Sequence, residues 1–422
     1  MLRNWSEVKD NSIVKKAKKE SVLGVEQSKD QLIQRKNEVY EIQEKIATQN
    51  LLVWSELYRN IKDKPFTLKD HKYLEQIYCD VSQEIVIMKA SQCGVSEYLV
   101  NNSFFLSENK KATGIYCFPA QRQLNDFSHA RVDSAIMESE HLSKIVSGID
   151  NVSLKNINGV FIYFRGSQEI KQISSIDADY IMFDEFDQMM NNNIAIIEKR
   201  VGHSDIKIMR KISTPTYPGF GIDLEFEDSS QNYWHVKCNH CGKWQVLDFW
   251  KNIKGTKEKA YCVCYKCGKT LNRLQDGVWV AKYPDRRITG YHISKLFSKY
   301  CVLEDLIKAS EKQNDSDQQT FFNFDLGIPY TPKSSGQITE DHINNCRREF
   351  SLQHHGINCS MGVDVGSVYN VWITQDEMNS QGVRTGKKKS VMITTVKHTE
   401  ELDKLMIQFD VGKCVIDALP ET

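Results

Sequence analysis

The sequence predicts an α/β protein built on a doubly wound, mostly parallel sheet. Three observations carry this expectation. Short apolar runs (Ile85-Val-Ile-Met88, Gly114-Ile-Tyr-Cys-Phe118, Gly159-Val-Phe-Ile-Tyr-Phe164, Tyr180-Ile-Met-Phe183) alternate with helix-like stretches, which is the pattern of strands buried on both faces. The first run ends in Lys89 and a small-residue loop, Ala90-Ser91-Gln92-Cys93-Gly94-Val95-Ser96-Glu97. The run at 180–183 ends in two adjacent acids, Asp184 and Glu185.

Composition sets the outer bounds. A chain of 422 residues is long enough for two or three domains. Its 26% charged and 40% hydrophobic residues are ordinary for a globular protein. No apolar run of about 18 residues occurs, so no transmembrane helix is expected. Met1 to Lys19 is polar and Lys-rich, without the apolar centre of a secretory signal. The formal net charge is zero, so any nucleic-acid binding must come from local basic patches. Twelve Cys are present, four of them in two C-x-x-C pairs. That spacing points to a metal site in a reducing compartment, not a disulfide framework.

In chain order, residues 1–60 read as a polar helical arm with a basic cluster at Lys15, Lys16, Lys18 and Lys19. Trp54, Leu57 and Tyr58 are its first docking residues. Residues 61–230 then carry the strand–loop–helix layout that cradles phosphates with backbone N–H groups and a helix N-terminus. Against G-x-x-x-x-G-K-[ST], Gly94 and Ser96 are in place, Val95 takes the Lys position, and Lys89 takes the first Gly position. The positive charge has moved to the front of the loop. The structural alternative is a buried strand and turn with an incidental Lys. Phe66 or His71, just upstream, could hold a base, although core packing explains both. Asp184 and Glu185, at a strand's carboxyl end, would face this loop. The first acid suits Mg²⁺ and the second suits activation of a water. Ser213-Thr214-Pro215-Thr216 ends another strand and could sense a γ-phosphate, or be a plain turn.

Residues 231–285 hold Cys238-Asn-His-Cys241-Gly-Lys and Cys264-Tyr-Lys-Cys267-Gly-Lys. Two such knuckles offer four thiolates in a closed shell, the preference of structural Zn²⁺. His240 and Cys262 stand beside ligands, and Cys262 could replace Cys264. Trp234, His235, Lys237, Lys243, Trp244 and Lys269 mix aromatic and basic character that suits DNA, and a zinc ribbon as a structural insert is an equal alternative. Residues 286–350 read as linker and packing elements. Residues 351–422 begin a second strand system, with Asp364 in its first strand and Asp417 ending its last.

Taken together, Lys89–Glu97, Asp184-Glu185, Ser213–Thr216, the two knuckles, and Asp364 with Asp417 resemble the large terminase subunit of tailed phages, in particular the lambda-type family. The resemblance covers about residues 60–422. In that family the phosphate-loop Lys often stands at the front of the loop, where Lys89 is. It implies a P-loop ATPase domain of the ASCE type with a zinc-ribbon insert, followed by an RNase H-like nuclease. The implied activity is ATP-driven packaging of double-stranded viral DNA into a procapsid, with endonucleolytic cutting. The implied cofactors are ATP and Mg²⁺ at Lys89–Glu97, Asp184, Ser213 and Thr214, with Ser96 and Asp184 on the metal. Zn²⁺ goes to the four Cys, and Mg²⁺ or Mn²⁺ to Asp364 and Asp417. Glu185 would activate water, and Arg131 or Arg200 would supply an arginine to the γ-phosphate. Partners would be the portal protein, a small terminase subunit and other copies in a ring, in the bacterial host cytoplasm and without a membrane. Only five residues follow Asp417, so the nuclease is expected to be cut short. Two alternatives remain: a prophage remnant that binds DNA or portal without turnover, and a helicase-like zinc-ribbon ATPase.

Overall fold

The computed structural model describes residues 29–332, 352–353, 355–366, 368–379 and 381–417, divided into two units at Ser335/Gly336. The Lys15–Lys19 cluster lies outside the described residues.

The first unit is organised on an eleven-stranded sheet. Its strands are β1 (Glu84–Lys89), β2 (Gly114–Phe118), β3 (Val146–Asn151), β4 (Leu154–Ile157), β5 (Val160–Gly166), β6 (Tyr180–Asp184), β7 (Ile208–Ser213), β8 (Asn232–Lys237), β9 (Trp244–Val246), β10 (Gly277–Ala281) and β11 (Thr289–Ile293). The order is β9-β8-β11-β1-β7-β6-β2-β5-β4-β3, with β10 also paired to β8. From β8 to β5 every neighbouring pair is parallel. The other pairs, at the two ends, are antiparallel.

Every residue of β1, β2 and β6 is buried, because helices cover both faces of the sheet. Strand alternation sorts the side chains into two cores. Ile85, Ile87, Tyr116 and Met182 pack with Tyr98, Leu99 and Val100 of α1 (Val95–Asn109). Val86, Met88, Ile115, Ile181 and Phe183 pack with Ile194 and Ile197 on the other side. Each such Ile or Val side chain contributes roughly 1.5–3 kcal/mol by leaving water. Upstream, the Leu51–Tyr58 helix docks through Trp54, which is buried and donates from Nε1 to Glu108 Oε2 at 2.8 Å.

The segment 231–285 carries the four-cysteine element and also lends β8, β9 and β10 to the main sheet, while the 253–255/260–262 hairpin forms a small sheet of its own. One expectation about boundaries changes. The region read as a linker from 286 begins with β11, a central strand paired in parallel to β1 with Ile293 opposite Lys89. A five-residue strand whose partner lies 200 positions upstream leaves little local signal.

The second unit has a four-stranded sheet of β12 (Cys359–Val365), β13 (Tyr369–Met378), β14 (Arg384–Val396) and β15 (Val411–Ile416), ordered β14-β13-β12-β15. The first three strands are antiparallel neighbours. The helix α2 (Thr399–Gln408) then carries the chain across to β15, parallel to β12. One face, with Met361, Val363, Val371, Ile373 and Val391, packs on Leu402 and Phe409.

Candidate active site

The parallel register brings the carboxyl ends of β1, β7 and β6 to one edge. Met88 lies opposite Ser213, and Asp184 opposite Ile212. Lys89 ends β1, and the chain turns through the loop into α1. Gly94 makes that turn at φ 78°, and a Cβ there would stand 3.3 Å from Leu74 Cδ1. A glycine meets both demands. The first N–H groups of α1 have no intrahelical partner and aim at the space in front of the loop.

The charged groups converge there. Lys89, almost wholly buried, lies with Nζ 3.5 Å from Glu185 Oε1. Ser96 Oγ is 3.4 Å from Asp184 Oδ1, and Tyr116 donates its hydroxyl to Asp184 Oδ2 at 2.9 Å. Asp184 is fully buried, and burial pushes its carboxyl up to about 6. The Glu185 charge adds to the rise, while Lys89 and the two hydroxyls pull the other way. A buried carboxylate held against its own desolvation, with a hydroxyl beside it, is the donor set of a hard divalent cation. Glu185 itself sits at φ 58°, a left-handed conformation uncommon for such a residue. It turns the chain so that Glu185 and Lys89 meet.

Asp187, two residues after Glu185, was not singled out by sequence reasoning. Its carboxylate accepts from Thr216 N at 2.8 Å, Thr216 Oγ1 at 2.9 Å and Ile222 N at 2.6 Å. Ser213 Oγ accepts from Asp187 N at 3.1 Å. The Ser213–Thr216 element is thereby tied to the turn that carries Glu185. Burial pushes Asp187 up to about 6, against the bonds it receives. A second unforeseen part is the 321–327 segment. Phe324 O accepts from Ser91 N at 2.9 Å and Ser91 Oγ at 3.0 Å, and Asn323 Nδ2 donates to Thr216 O at 3.1 Å. A Cβ on Gly327 would stand 2.7 Å from Ala90 N.

Several expected site residues are placed differently. Ala90 N donates to Ile293 O at 2.7 Å, and Ser91 N to Phe324 O. The N–H groups of these two residues are therefore turned into the protein, which leaves Gln92 to Ser96 to line the loop. The Cys93 and Val95 side chains are buried. Glu97 faces Arg59, which reaches it from the end of the Leu51–Tyr58 helix, with Arg131 Nη1 3.7 Å away. Its carboxylate thus faces two arginines. Ser213 and Thr214 are buried; Ser213 bonds within its own turn and to Asp187. Arg131 stays half-exposed beside the start of α1. Arg200 donates to Ser174 O at 2.6 Å, and its own carbonyl accepts from Ala178 N, just before β6. That is the opposite end of the strand from Asp184, about 15–20 Å away at ~3.3 Å per residue, so Arg200 cannot serve this site within the same chain. Phe66 is buried core, whereas the His71 ring lies 3.6 Å from where a Cβ on Gly94 would be.

The four cysteines of the knuckles come together. The sulfurs of Cys238, Cys241, Cys264 and Cys267 all lie within 4.8 Å of one another. Cys238 to Cys267 and Cys241 to Cys264 are both 3.7 Å. Bonds of ~2.3 Å in a tetrahedron set sulfurs about 3.8 Å apart, so the donors fit zinc in type and spacing. The knuckles are built alike: Cys238 N and Cys264 N donate to Lys243 O and Lys269 O, and Gly242 N and Gly268 N donate back to the Cys carbonyls, all at 2.9 Å. Gln245 Nε2 lies 3.2 Å from Cys264 Sγ. Cys262 and His240 are not in the cluster.

In the second unit Asp364 and Asp417 border one open groove of about 760 Å³. Asp417 N donates to Val363 O at 3.1 Å, and Asn370 Nδ2 to Asp364 Oδ2 at 3.2 Å. Both acids are exposed.

Residues 73–281 match the family model described as phage terminase large subunit gpA, ATPase domain. No curated protein sequence matches the chain. Similar solved structures include the HK97 bacteriophage large terminase, at 13% identity and TM-score 0.45, over 80% of this chain and 66% of that one. An ATPase-domain variant of the Thermus phage P74-26 large terminase has 14% identity and TM-score 0.41, over 63% and 95%. A large terminase from a thermophilic bacteriophage, in complex with ADP, has 10% identity and TM-score 0.35, over 83% and 76%. At these scores the structural likenesses carry no weight of their own, and the family rests on the matched segment.

Proposed function

Residues 73–281 are the ATPase domain of the phage terminase large subunit gpA family, and from that premise we propose that the chain is an ATP-driven motor that packages double-stranded viral DNA. The observation that carries the reading is the meeting of Lys89, Ser96, Asp184 and Glu185 at one sheet edge, with a helix N-terminus facing them. The N–H groups from Gln92 to Ser96 receive the ATP phosphates. Lys89 neutralises charge on them from the front of the loop. Ser96 and Asp184 would hold Mg²⁺, which supplies charge neutralisation at the phosphates. Glu185 orients a water on the γ-phosphorus and takes its proton as the bond to the leaving ADP oxygen breaks. Lys89 keeps the Glu185 carboxylate close by until substrate arrives. Asp187 ties the Glu185 turn to Ser213–Thr216, so loss of the γ-phosphate at one end can shift the other. Arg131, half-exposed beside α1 and 3.7 Å from Glu97, is the candidate for an arginine toward the phosphates. Zn²⁺ on the four Cys would pin β8 and β9 to the following knuckle in a structural role.

The second unit supports an RNase H-like reading: three antiparallel strands, a crossing helix, then a fourth strand beside the first, with acids on the first and just past the fourth. Asp364 and Asp417 would hold a divalent metal for DNA cutting. Portal protein, a small terminase subunit and further copies in a ring are the partners this reading implies. No helix among the described residues is long and apolar enough to cross a membrane. The test is phosphate release with and without duplex DNA. The wild-type chain should turn over ATP and be stimulated by DNA, and Lys89→Ala and Glu185→Gln should not. Wild-type turnover no higher than that of the variants overturns the motor and leaves the non-hydrolysing DNA-binding alternative.

A further inference from the structure

A groove of about 620 Å³ runs along the cysteine-cluster element to the end of β11 and the 326–328 segment. Its walls carry three exposed rings, Trp244 at 42%, Trp250 at 52% and Tyr265 at 47%. Together they form a patch, and an apolar patch rimmed by polar groups is the mark of an interaction surface. Lys243 and Lys251 stand among them, and Asp248 is the one acid on the lining. That carboxylate is engaged in accepting Lys251 N at 2.9 Å. The element is cationic: residues 231–285 hold ten Lys and Arg against four Asp and Glu, a net +6 in a chain whose total is zero. Four thiolates on a bound Zn²⁺ would remove two of these charges and still leave the element cationic. His292 lines the groove. Its Nε2 faces Leu326 O at 3.2 Å and Gly327 O at 3.1 Å, so Nε2 carries the proton, and Nδ1 is an acceptor without a partner.

The geometry points to an unpaired nucleic-acid strand as the occupant of this groove, its bases stacked on Trp244, Trp250 and Tyr265 and its phosphates against Lys243 and Lys251. Positive charge selects a polyanion over an apolar protein segment. Exposed aromatic faces select unpaired bases over a duplex, whose bases already stack on each other. Trp250 is held for this role, its ring 5.6 Å from that of Phe322. No residue of the Lys89–Glu97 loop, and neither Asp184 nor Glu185, lines the groove, so the two readings can fail separately.

The test is fluorescence anisotropy of labelled oligo(dT) and of a duplex of equal length, on the full chain with its zinc content measured. Wild type should bind oligo(dT), with affinity falling steeply as salt rises. Trp244→Ala should weaken oligo(dT) binding about 5- to 50-fold, from ~1–3 kcal/mol per stacked base, and leave duplex affinity within about twofold. Trp244→Phe should restore most of the loss. Lys251→Glu should weaken both ligands and flatten the salt dependence. Lys89→Ala should bind as wild type does, whatever happens to ATP turnover. Unchanged oligo(dT) binding by Trp244→Ala and Trp250→Ala, or equal losses for the duplex, overturns the proposal. So does a zinc-loaded wild type that does not bind oligo(dT), which would leave the groove to a protein partner.

Discussion

Two pairs of acids stand at strand ends in this molecule, and the fold treats them in opposite ways. Asp184 and Glu185 end a strand at the centre of an eleven-stranded sheet, where Asp184 is fully buried against Lys89, Ser96 and Tyr116. Asp364 and Asp417 lie exposed on an open groove of a four-stranded sheet, where Asn370 is the side-chain partner of Asp364. In the first pair Asp184 is desolvated, and Glu185, whose side chain is 30% exposed, lies against Lys89 before any ligand arrives. The second is solvated and free to adjust. Preorganised charge in a dry site is worth far more to catalysis than the same charge in water. The difference predicts a site sensitive to single atoms beside one that tolerates change.

The largest expected effect separates the pairs outright. Glu185→Gln should lower ATP turnover about 10²- to 10⁴-fold, while Asp364→Asn leaves it within about twofold. In plasmid cleavage with Mn²⁺ the order should reverse, with any cutting lost in Asp364→Asn and kept in Glu185→Gln. A similar ATPase loss in both variants would break the comparison.

Metal retention sharpens it further. Four sulfurs close the Cys238/Cys241/Cys264/Cys267 shell, whereas two exposed carboxylates cannot close one. After dialysis against a weak chelator the chain should keep about one zinc and no manganese. Cys264→Ser should lose the zinc, as elemental analysis would report.

A smaller effect follows from burial. The folded carboxyl of Asp184 is raised to about 6 from 3.8. Relative to the unfolded chain, stability from this group is fully present below about 3.8 and is lost as pH rises through about 6. The charged form therefore costs the metal-free fold roughly 3 kcal/mol above that pH. Asp184→Asn should raise the melting temperature of the metal-free chain at pH 8, and the gain should vanish near pH 4. Asp364→Asn should move it by no more than ~1 °C at either pH. The smallest effect is Tyr116→Phe. Removing one donor to Asp184 should move the acid limb of the ATPase pH profile upward by about half a unit to one unit.

Much of the first site was legible in the sequence, because its parts are local patterns. Lys89 ends an apolar run, Gly94 and Ser96 follow at fixed offsets, and Asp184 and Glu185 close another run. The knuckles were legible for the same reason, each being a four-residue unit. What stayed hidden depends on partners far along the chain. Glu97 looks like a loop ligand until Arg59 is placed beside it. Ala90 and Ser91 look like phosphate donors until Ile293 and Phe324 arrive from 200 and more positions away. β11 looked like a linker because a short strand at the centre of a parallel sheet takes its stability from neighbours. Asp187 carried no motif, and its role comes from three donors on the 216–222 turn.

The central claim is that Lys89, at the front of the loop, holds the phosphates while Glu185 acts on the water. Calorimetric titration of ATPγS with Mg²⁺ into the Lys89→Ala and Glu185→Gln chains tests it most directly. The account predicts that Lys89→Ala weakens binding by more than about tenfold, the loss of one charge-assisted contact, while Glu185→Gln binds within about threefold of wild type. Wild-type affinity in Lys89→Ala would contradict it.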